Sequence, residues 1–534
     1  MAVAQDGQAE TREAAEEQEA TGARRRLLAA AIPFTLIAGV LVVRNWFLFS
    51  TRLYEVGDMA SDSIRIEQAR HFQLLIGIYS RLQFNHPGPA YLYVQAWGEE
   101  LFYNLLHVVP TAWNGQLFGV YALNALFGAL AVDVVYRWAG ARGATAALAA
   151  LLTFLAIHPL TASSDWMPYL NVLTYITFLV AASSVAAGRA GDMWIATVTG
   201  WFLIHGHTTF LLFVPVVAGV TVVIALWPHR GNLRADIRRF IARRRKAWVP
   251  VLVLSALFLL PMVLNMVLNW PGDFVKYLEY SSSAGYSWKT VFRYALWFWW
   301  PSRSAWLALL VTAALWATAG AAVWRLATGR VRQFLVAMLA LNVVSSVTFA
   351  YFVTADVDTL ASHYEGYFYW SAPAVTVLVI AVAVASRLSA RVGAAVTAIA
   401  CLAALAAFAV APYARSNTAL TDPAVPSMAP DTDPGIATAV QVLAARSPGR
   451  VLVINLDHNT WRDVTGFLVQ AQRSGVRACV NNPWWTFMVT SQFICSQHEI
   501  ATGAHYWFHE GGVPRGLPIL VKLYAATVTP GPAS

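Results

Sequence analysis

The 534-residue chain is 58% hydrophobic and only 12% charged, with a formal net charge of +9 and a mean hydropathy of +0.52. Soluble domains carry about 25% charged residues, and this chain repeats apolar runs of about 20 residues; together these exclude a soluble protein and define a polytopic membrane protein. The excess of Lys and Arg is not a nucleic-acid signal, because it lies in short clusters between apolar runs, where the positive-inside rule puts it.

Residues 1–23 are acidic and rich in Ala and Glu (Glu10, Glu13, Glu16, Glu17, Glu19). They lack large apolar side chains to bury, so a disordered cytoplasmic tail is expected. Arg24–Arg26 hold the N-terminus inside. Leu27–Phe49 is too long for a signal h-region and reads as a retained span. The most basic loop, Arg230–Lys246, must also be cytoplasmic. Seven apolar segments precede it: Leu27–Phe49, Pro89–Val109, Gln116–Trp138, Thr145–Pro159, Tyr169–Ala187, Met193–Ile204 and Thr208–Trp227. If all seven crossed, that loop would fall outside, so one does not cross. Pro89–Val109 is the exception, because Glu99 and Glu100 would each cost about 2.5–3.5 kcal/mol at a helix centre. It is predicted to lie along the outer interface, with Tyr91, Tyr93, Trp97, Phe102 and Tyr103 at headgroup level. The clusters at Arg137/Arg142, Arg189, Arg325/Arg330/Arg332 and Arg387/Arg391 then also become cytoplasmic, and residues 51–114 form a first outer loop.

The remaining spans are Trp248–Leu268, Ala305–Trp324, Leu335–Val353, Trp370–Ser386 and Val392–Ala411, which brings the expected total to about eleven. A linker over 412–435 is rich in Pro, Asp, Thr and Ser. Residues 436–534 then read as a small extracytoplasmic α/β domain: helix at Gly435–Arg446, a buried strand at Arg450–Asn455, helix at Trp461–Ser474 closed by Gly475, and strands at Val476–Val480 and Leu517–Thr527. No Gly-rich phosphate loop follows the first of these strands. Cys479 and Cys495 either pair, if this region is extracytoplasmic, or stay as free buried thiols.

By this topology the unusual polar residues collect on the outer face. After the first span come Asp58, Asp62, Arg65, Arg70, Arg81 and His86. Later loops add His158, Ser164, Asp165 and Trp166; His205 and His207; Asp273, Lys276, Arg293 and Arg303; and Asp356, Asp358, His363, Tyr364 and Glu365. Ionisable groups at the membrane edge are costly to keep and are functional candidates for that reason. A carboxylate can take a proton from a hydroxyl nucleophile, Arg, Lys and His can stabilise a leaving phosphate, and the 22 Trp and 20 Tyr supply surfaces for sugar rings. The set suits glycosyl transfer from a lipid-phosphate sugar. No cofactor is expected. His205 and His207 have no carboxylate close in sequence, so a divalent metal stays open without being indicated. A lipid-linked sugar transporter or flippase, or a non-catalytic envelope assembly protein, is the alternative; a transporter would place its charges at the midplane rather than the edge.

Residues 1 to about 411 resemble the GT-C-fold polyprenyl-phosphate-sugar glycosyltransferases, the group of the protein O-mannosyltransferases, the lipid A aminoarabinose transferases and the envelope arabinofuranosyltransferases. The likeness lies in an Asp soon after the first span (Val56-Gly-Asp58-Met-Ala60), in His86-Pro-Gly-Pro-Ala-Tyr-Leu-Tyr93, which is similar to the family's His-Pro-Pro-Leu-Tyr pattern, and in a second acid opening another outer loop (Ser163-Ser-Asp165-Trp-Met-Pro168). Gly88 stands where many relatives have a second Pro, and the paired Asp-Glu motif of the O-mannosyltransferases is missing. The resemblance implies a multi-pass protein of the bacterial plasma membrane, with amphipathic helices in the first outer loop. It implies a polyprenyl-phosphate sugar donor and an envelope glycan, glycolipid or protein acceptor. Asp58 and Asp165 are then the expected catalytic acids, and Asp62, Arg81, His86, His205, His207, His363, Tyr364 and Glu365 the expected substrate contacts.

Overall fold

A computed structural model describes residues 28–227, 245–279, 285–301, 304–355, 360, 363–411, 431–513 and 515–531. The acidic tail, Arg24–Arg26, the basic loop as far as Arg244, Arg303, Asp356, Asp358 and nearly all of the linker lie outside them.

The described chain is a helical bundle carrying a small sheet domain at its C-terminal end. Among the described residues, seven helices are long and apolar enough to cross a membrane, including Met167–Ala186, Ala305–Arg325, Gly329–Ala355 and Ala390–Val410; Leu28–Arg44 and Phe210–Leu226 are shorter apolar helices. Ala112–Ile157 contains two of the expected spans. Drawn straight, its 46 residues would reach about 69 Å, more than twice the hydrocarbon thickness. Gly140 breaks it, at φ +66° and ψ −168°, a backbone region that is essentially glycine's alone. Near that break Arg137 pairs with both Asp133 and Asp192, which closes the end of the bundle away from the first loop.

That first loop folds as helix Gly57–Arg70, a short hairpin of β1 (Tyr79–Ser80) and β2 (Phe84–Asn85), and helix Ala90–Gly98, which runs on as a π-helical turn over Glu99–Leu105. Trp97, Leu101 and Leu105 are exposed at four-residue spacing, which leaves one face of this helix apolar and uncovered. Tyr91 departs from expectation. It is buried, and its hydroxyl donates to Thr174 at 2.8 Å, so it anchors the loop to the bundle instead of meeting headgroups. Glu99 also turns inward, accepting from Gln116 at 2.8 Å and lying 3.1 Å from Arg70. That pairing is how adjacent carboxylates are tolerated here.

The C-terminal domain is a five-stranded sheet in the order β4-β3-β5-β7-β6. Strand β3 (Leu452–Leu456) runs parallel to β4 (Ala478–Val480) and to β5 (Ala504–His509), with Val453 opposite both Cys479 and His505. The helix Trp461–Arg473 makes the crossover from β3 to β4 that a parallel pair requires. The central strand β5 was not expected, and the strand expected at Leu517–Thr527 is instead a hairpin of β6 (Val521–Lys522) and β7 (Thr527–Pro530). Cys479 and Cys495 form a disulfide with Cα atoms 5.0 Å apart.

This domain is not a separate bead on the bundle. Ala60 and Ile64 of helix Gly57–Arg70 belong to the domain's own apolar core, with Phe467, Leu468 and Met488. On other faces of the same helix Met59 joins the bundle core, and Ile66 and Ala69 pack on Leu92 and Ala96. A helix buried on all sides shows no amphipathic stripe, so its place at the centre is invisible to periodicity.

Candidate active site

Between bundle and domain lies a cavity of about 560 Å³. Its walls come from three distant parts of the chain: Asp58, Asp62, the β1–β2 hairpin and His86 from the first loop; Trp166–Pro168, His207–Thr209, Phe352, Tyr364 and Glu365 from the ends of the spans; and His458, Trp461, Trp484, Trp485, Phe487 and Met488 from the C-terminal domain.

Asp58 sits in the first turn of helix Gly57–Arg70, where the helix dipole favours a negative charge. The Tyr79 hydroxyl donates to one carboxylate oxygen, and Trp166 Nε1 donates to the other at 2.9 Å. Burial raises its pKa above the ordinary carboxylate value, and the two hydrogen bonds oppose that rise without cancelling it. One turn on, Asp62 is 4% exposed and its Oδ1 has no partner among the described residues. Its pKa is pushed well up by burial, against the attraction of Arg65 and with further repulsion from Asp58 and Asp165. Arg65 is a clamp and not a phosphate ligand. It is 1% exposed and donates to the carbonyls of Phe487 (2.7 Å) and Met488 (2.9 Å), fastening the C-terminal domain to the acid-bearing helix.

Also lining the cavity, His86 and His207 stand with ring centroids 4.3 Å apart. His86 Nδ1 accepts from the Thr208 amide at 3.2 Å, and His207 Nδ1 accepts from the Thr209 amide at 3.3 Å. A neutral imidazole with an accepting Nδ1 carries its proton on Nε2. Burial lowers both pKa values, that of His207 to about 4 and that of His86 further helped by His207. Both rings are therefore neutral donors at pH 7. The cationic charge comes from Arg81, paired with Glu365 and lying 5.7 Å over the Tyr364 ring.

Three expected site residues stand elsewhere. Asp165 is behind the cavity wall: buried, it accepts from Trp113 Nε1 at 2.6 Å, while its neighbour Trp166 is the residue that reaches Asp58. His205 has both ring nitrogens engaged, with the Ala90 amide (3.3 Å) and the Phe258 carbonyl (3.0 Å). It packs so close to Gly88 that a Cβ there would lie 2.3 Å from Nδ1, which is why this turn reads His-Pro-Gly-Pro. His363 faces a second cavity of about 410 Å³, with Arg293, Tyr294 and Trp297. Sequence reasoning missed the whole aromatic wall of the C-terminal domain. Its signal was the pair Trp484-Trp485 in a segment that crosses no membrane. Among the described residues no cluster of three or more His, Cys, Asp or Glu is arranged to hold a metal.

The apolar helical bundle is that of a multi-pass membrane protein. No protein-family model matches the chain, and no curated protein matches it significantly. Among solved structures, ArnT from Cupriavidus metallidurans bound to undecaprenyl phosphate is similar at a TM-score of 0.56 and 13% identity, over 92% of this chain and 97% of that one. The Archaeoglobus fulgidus oligosaccharyltransferase in its apo form matches at a TM-score of 0.37 and 12% identity, over 91% and 69%. The chain has the GT-C fold.

Proposed function

We propose that this protein is a membrane glycosyltransferase that moves a sugar from a polyprenyl-phosphate donor to an envelope polysaccharide, glycolipid or protein acceptor at the outer face. The observation that carries the reading is the cavity holding Asp58 together with paired neutral imidazoles and a guanidinium. The fold it shares with a protein that binds undecaprenyl phosphate supports the donor class. The disulfide supports the outer side, because such bonds persist in oxidising compartments. In the reaction, an acceptor hydroxyl oxygen attacks the anomeric carbon. The bond from that carbon to the phosphate oxygen breaks, polyprenyl phosphate departs with the bonding pair, and the hydroxyl proton passes to the Asp58 carboxylate. Burial makes Asp58 a stronger base than an exposed carboxylate. Arg81 and the Nε2–H groups of His86 and His207 stabilise the charge gathering on the leaving phosphate. Asp62 tunes the field at Asp58, and Asp165 acts at one remove, as a positioning residue that fixes the Trp113–Trp166 side of the wall.

The test is to incubate the purified protein with a panel of radiolabelled polyprenyl-phosphate sugars and envelope acceptors. Asp58→Asn should lower transfer about 10²- to 10⁴-fold, the range of a positioned general base. Equal turnover in both proteins would remove Asp58 from the chemistry.

A further inference from the structure

The loop between β4 and helix Gln497–Thr502 is built to stay still. The Cys479–Cys495 disulfide closes it at its base, and Val480 bridges to Ile494 beside that bond. Its far end is held from below: Ser61 Oγ donates to the Met488 carbonyl at 2.7 Å, and Arg65 donates to the carbonyls of Phe487 and Met488. What this rigid loop presents is aromatic. Trp485 is buried and braces the others. Trp484 stands edge-on to it with ring centroids 4.6 Å apart and is itself 45% exposed. Phe487 packs against Trp484 at 5.2 Å and against Tyr79 at 5.8 Å, and the hydroxyl of Tyr79 is bonded to Asp58. His458, just past the end of the neighbouring strand β3, lies 5.6 Å from Trp484. A row of rings thus leads from an exposed indole to the acid.

Leaving a large indole half in water at the end of a loop tied down by a disulfide and by a buried guanidinium calls for a ligand. The negative face of an aromatic ring attracts slightly positive C–H groups, and a sugar ring offers a whole face of them. A phosphate would be repelled by the same ring faces. Resting on the glycosyltransferase reading, we infer that this loop is the platform for the carbohydrate of the acceptor, which makes the acceptor a glycan. The residue stacked on Trp484 and Phe487 lies next to the one whose hydroxyl reaches Asp58.

The experiment uses the full-length protein in lipid nanodiscs, free of sugar-headed detergent. Short linear oligosaccharides of arabinose, mannose and galactose are titrated while tryptophan fluorescence and saturation-transfer NMR are followed. One series should bind saturably. Trp484→Ala should weaken it about tenfold, which is about 1.4 kcal/mol, Trp484→Phe should restore most of it, and Asp58→Asn should bind as the unaltered protein does. In transfer assays Trp484→Ala should raise the acceptor KM and spare kcat. The inference is overturned if no oligosaccharide binds, if Trp484→Ala binds as tightly as the unaltered protein, or if the donor KM rises in place of the acceptor's. If Asp58→Asn still transfers sugar while Trp484→Ala loses oligosaccharide binding, the assigned base falls and the carbohydrate site stands.

Discussion

Arg473→Met should loosen the C-terminal domain from the bundle, and the size of the effect follows from one ion pair. Arg473 Nη1 lies 2.7 Å from Glu55 Oε1, and the Glu55 side chain is 0% exposed. Without the cation, the carboxylate keeps only the Ser63 hydroxyl at 2.7 Å and the Gln470 amide at 3.4 Å. Removing one partner of a buried pair costs about 3–5 kcal/mol, because the other charge stays uncompensated. That is roughly a 100- to 4,000-fold rise in the open population. The pair joins helix Trp461–Arg473 to the segment before helix Gly57–Arg70, so the opening should be local to that contact. Hydrogen exchange on the protein in nanodiscs reads it directly: amides of both helices should lose protection by that factor, while those of Met167–Ala186 keep theirs. Arg473→Met combined with Glu55→Gln should recover most of the loss, because a neutral amide needs no cation. Protection within threefold of the unaltered protein in the single variant, or no recovery in the double, would refute the reasoning.

Other expectations concern the site itself. Asp58 must be unprotonated to accept a proton, and its pKa is raised by burial, so kcat/KM should climb through an acidic limb above the ordinary carboxylate range; that limb should be missing in Asp58→Asn. Asp165 has its pKa raised from 3.8 to about 6 by burial. The folded state therefore holds this proton more tightly than the unfolded one, and the stability this lends is present below pH 3.8 and lost as pH rises through 6. Asp165→Asn should accordingly raise Tm more at pH 8 than at pH 5, by the equivalent of about 1.4 kcal/mol, and should lower turnover less than Asp58→Asn does. Gly88→Ala sets a methyl group against a ring that cannot retreat, since both nitrogens of His205 are bonded. A loss of about 1–3 kcal/mol and a lower Tm are expected, and an unchanged Tm would mean that the turn has slack.

Much of the bundle could be read in the sequence because a membrane span is a local property: 20 apolar residues announce themselves wherever they fold. That Asp58 lines a cavity could be anticipated too, since an acid beside a long apolar run has few reasons to be there. The errors arose where function depends on what lies next to a residue in space. Asp165 attracted attention as a charge, yet it is Trp166 that touches the cavity acid, and a Trp in a chain with 22 of them carries no signal. His205 and His207 are two apart in sequence, but the end of helix Met193–Gly206 sends one behind the His-Pro-Gly-Pro turn and the other into the cavity. Strand β5 was missed although Ala504–His509 alternates buried and half-buried residues, because its polar and aromatic members hide the period of two.

The same geometry ties the chemistry to the docking of the C-terminal domain. Asp58 is a stronger base than an exposed carboxylate because water is kept from it, and part of what keeps water away is not in the membrane domain at all. Phe487 packs on Tyr79, Met488 and Trp461 line the cavity, and Arg65 can bond the loop of Phe487 and Met488 only while the domain is seated. Without the domain the carboxylate would keep its bonds to Tyr79 and Trp166 but meet more water, and its pKa would be raised less. The domain that supplies the aromatic wall is thereby also a source of the desolvation that tunes the acid, and binding surface and basicity are assembled by one interface.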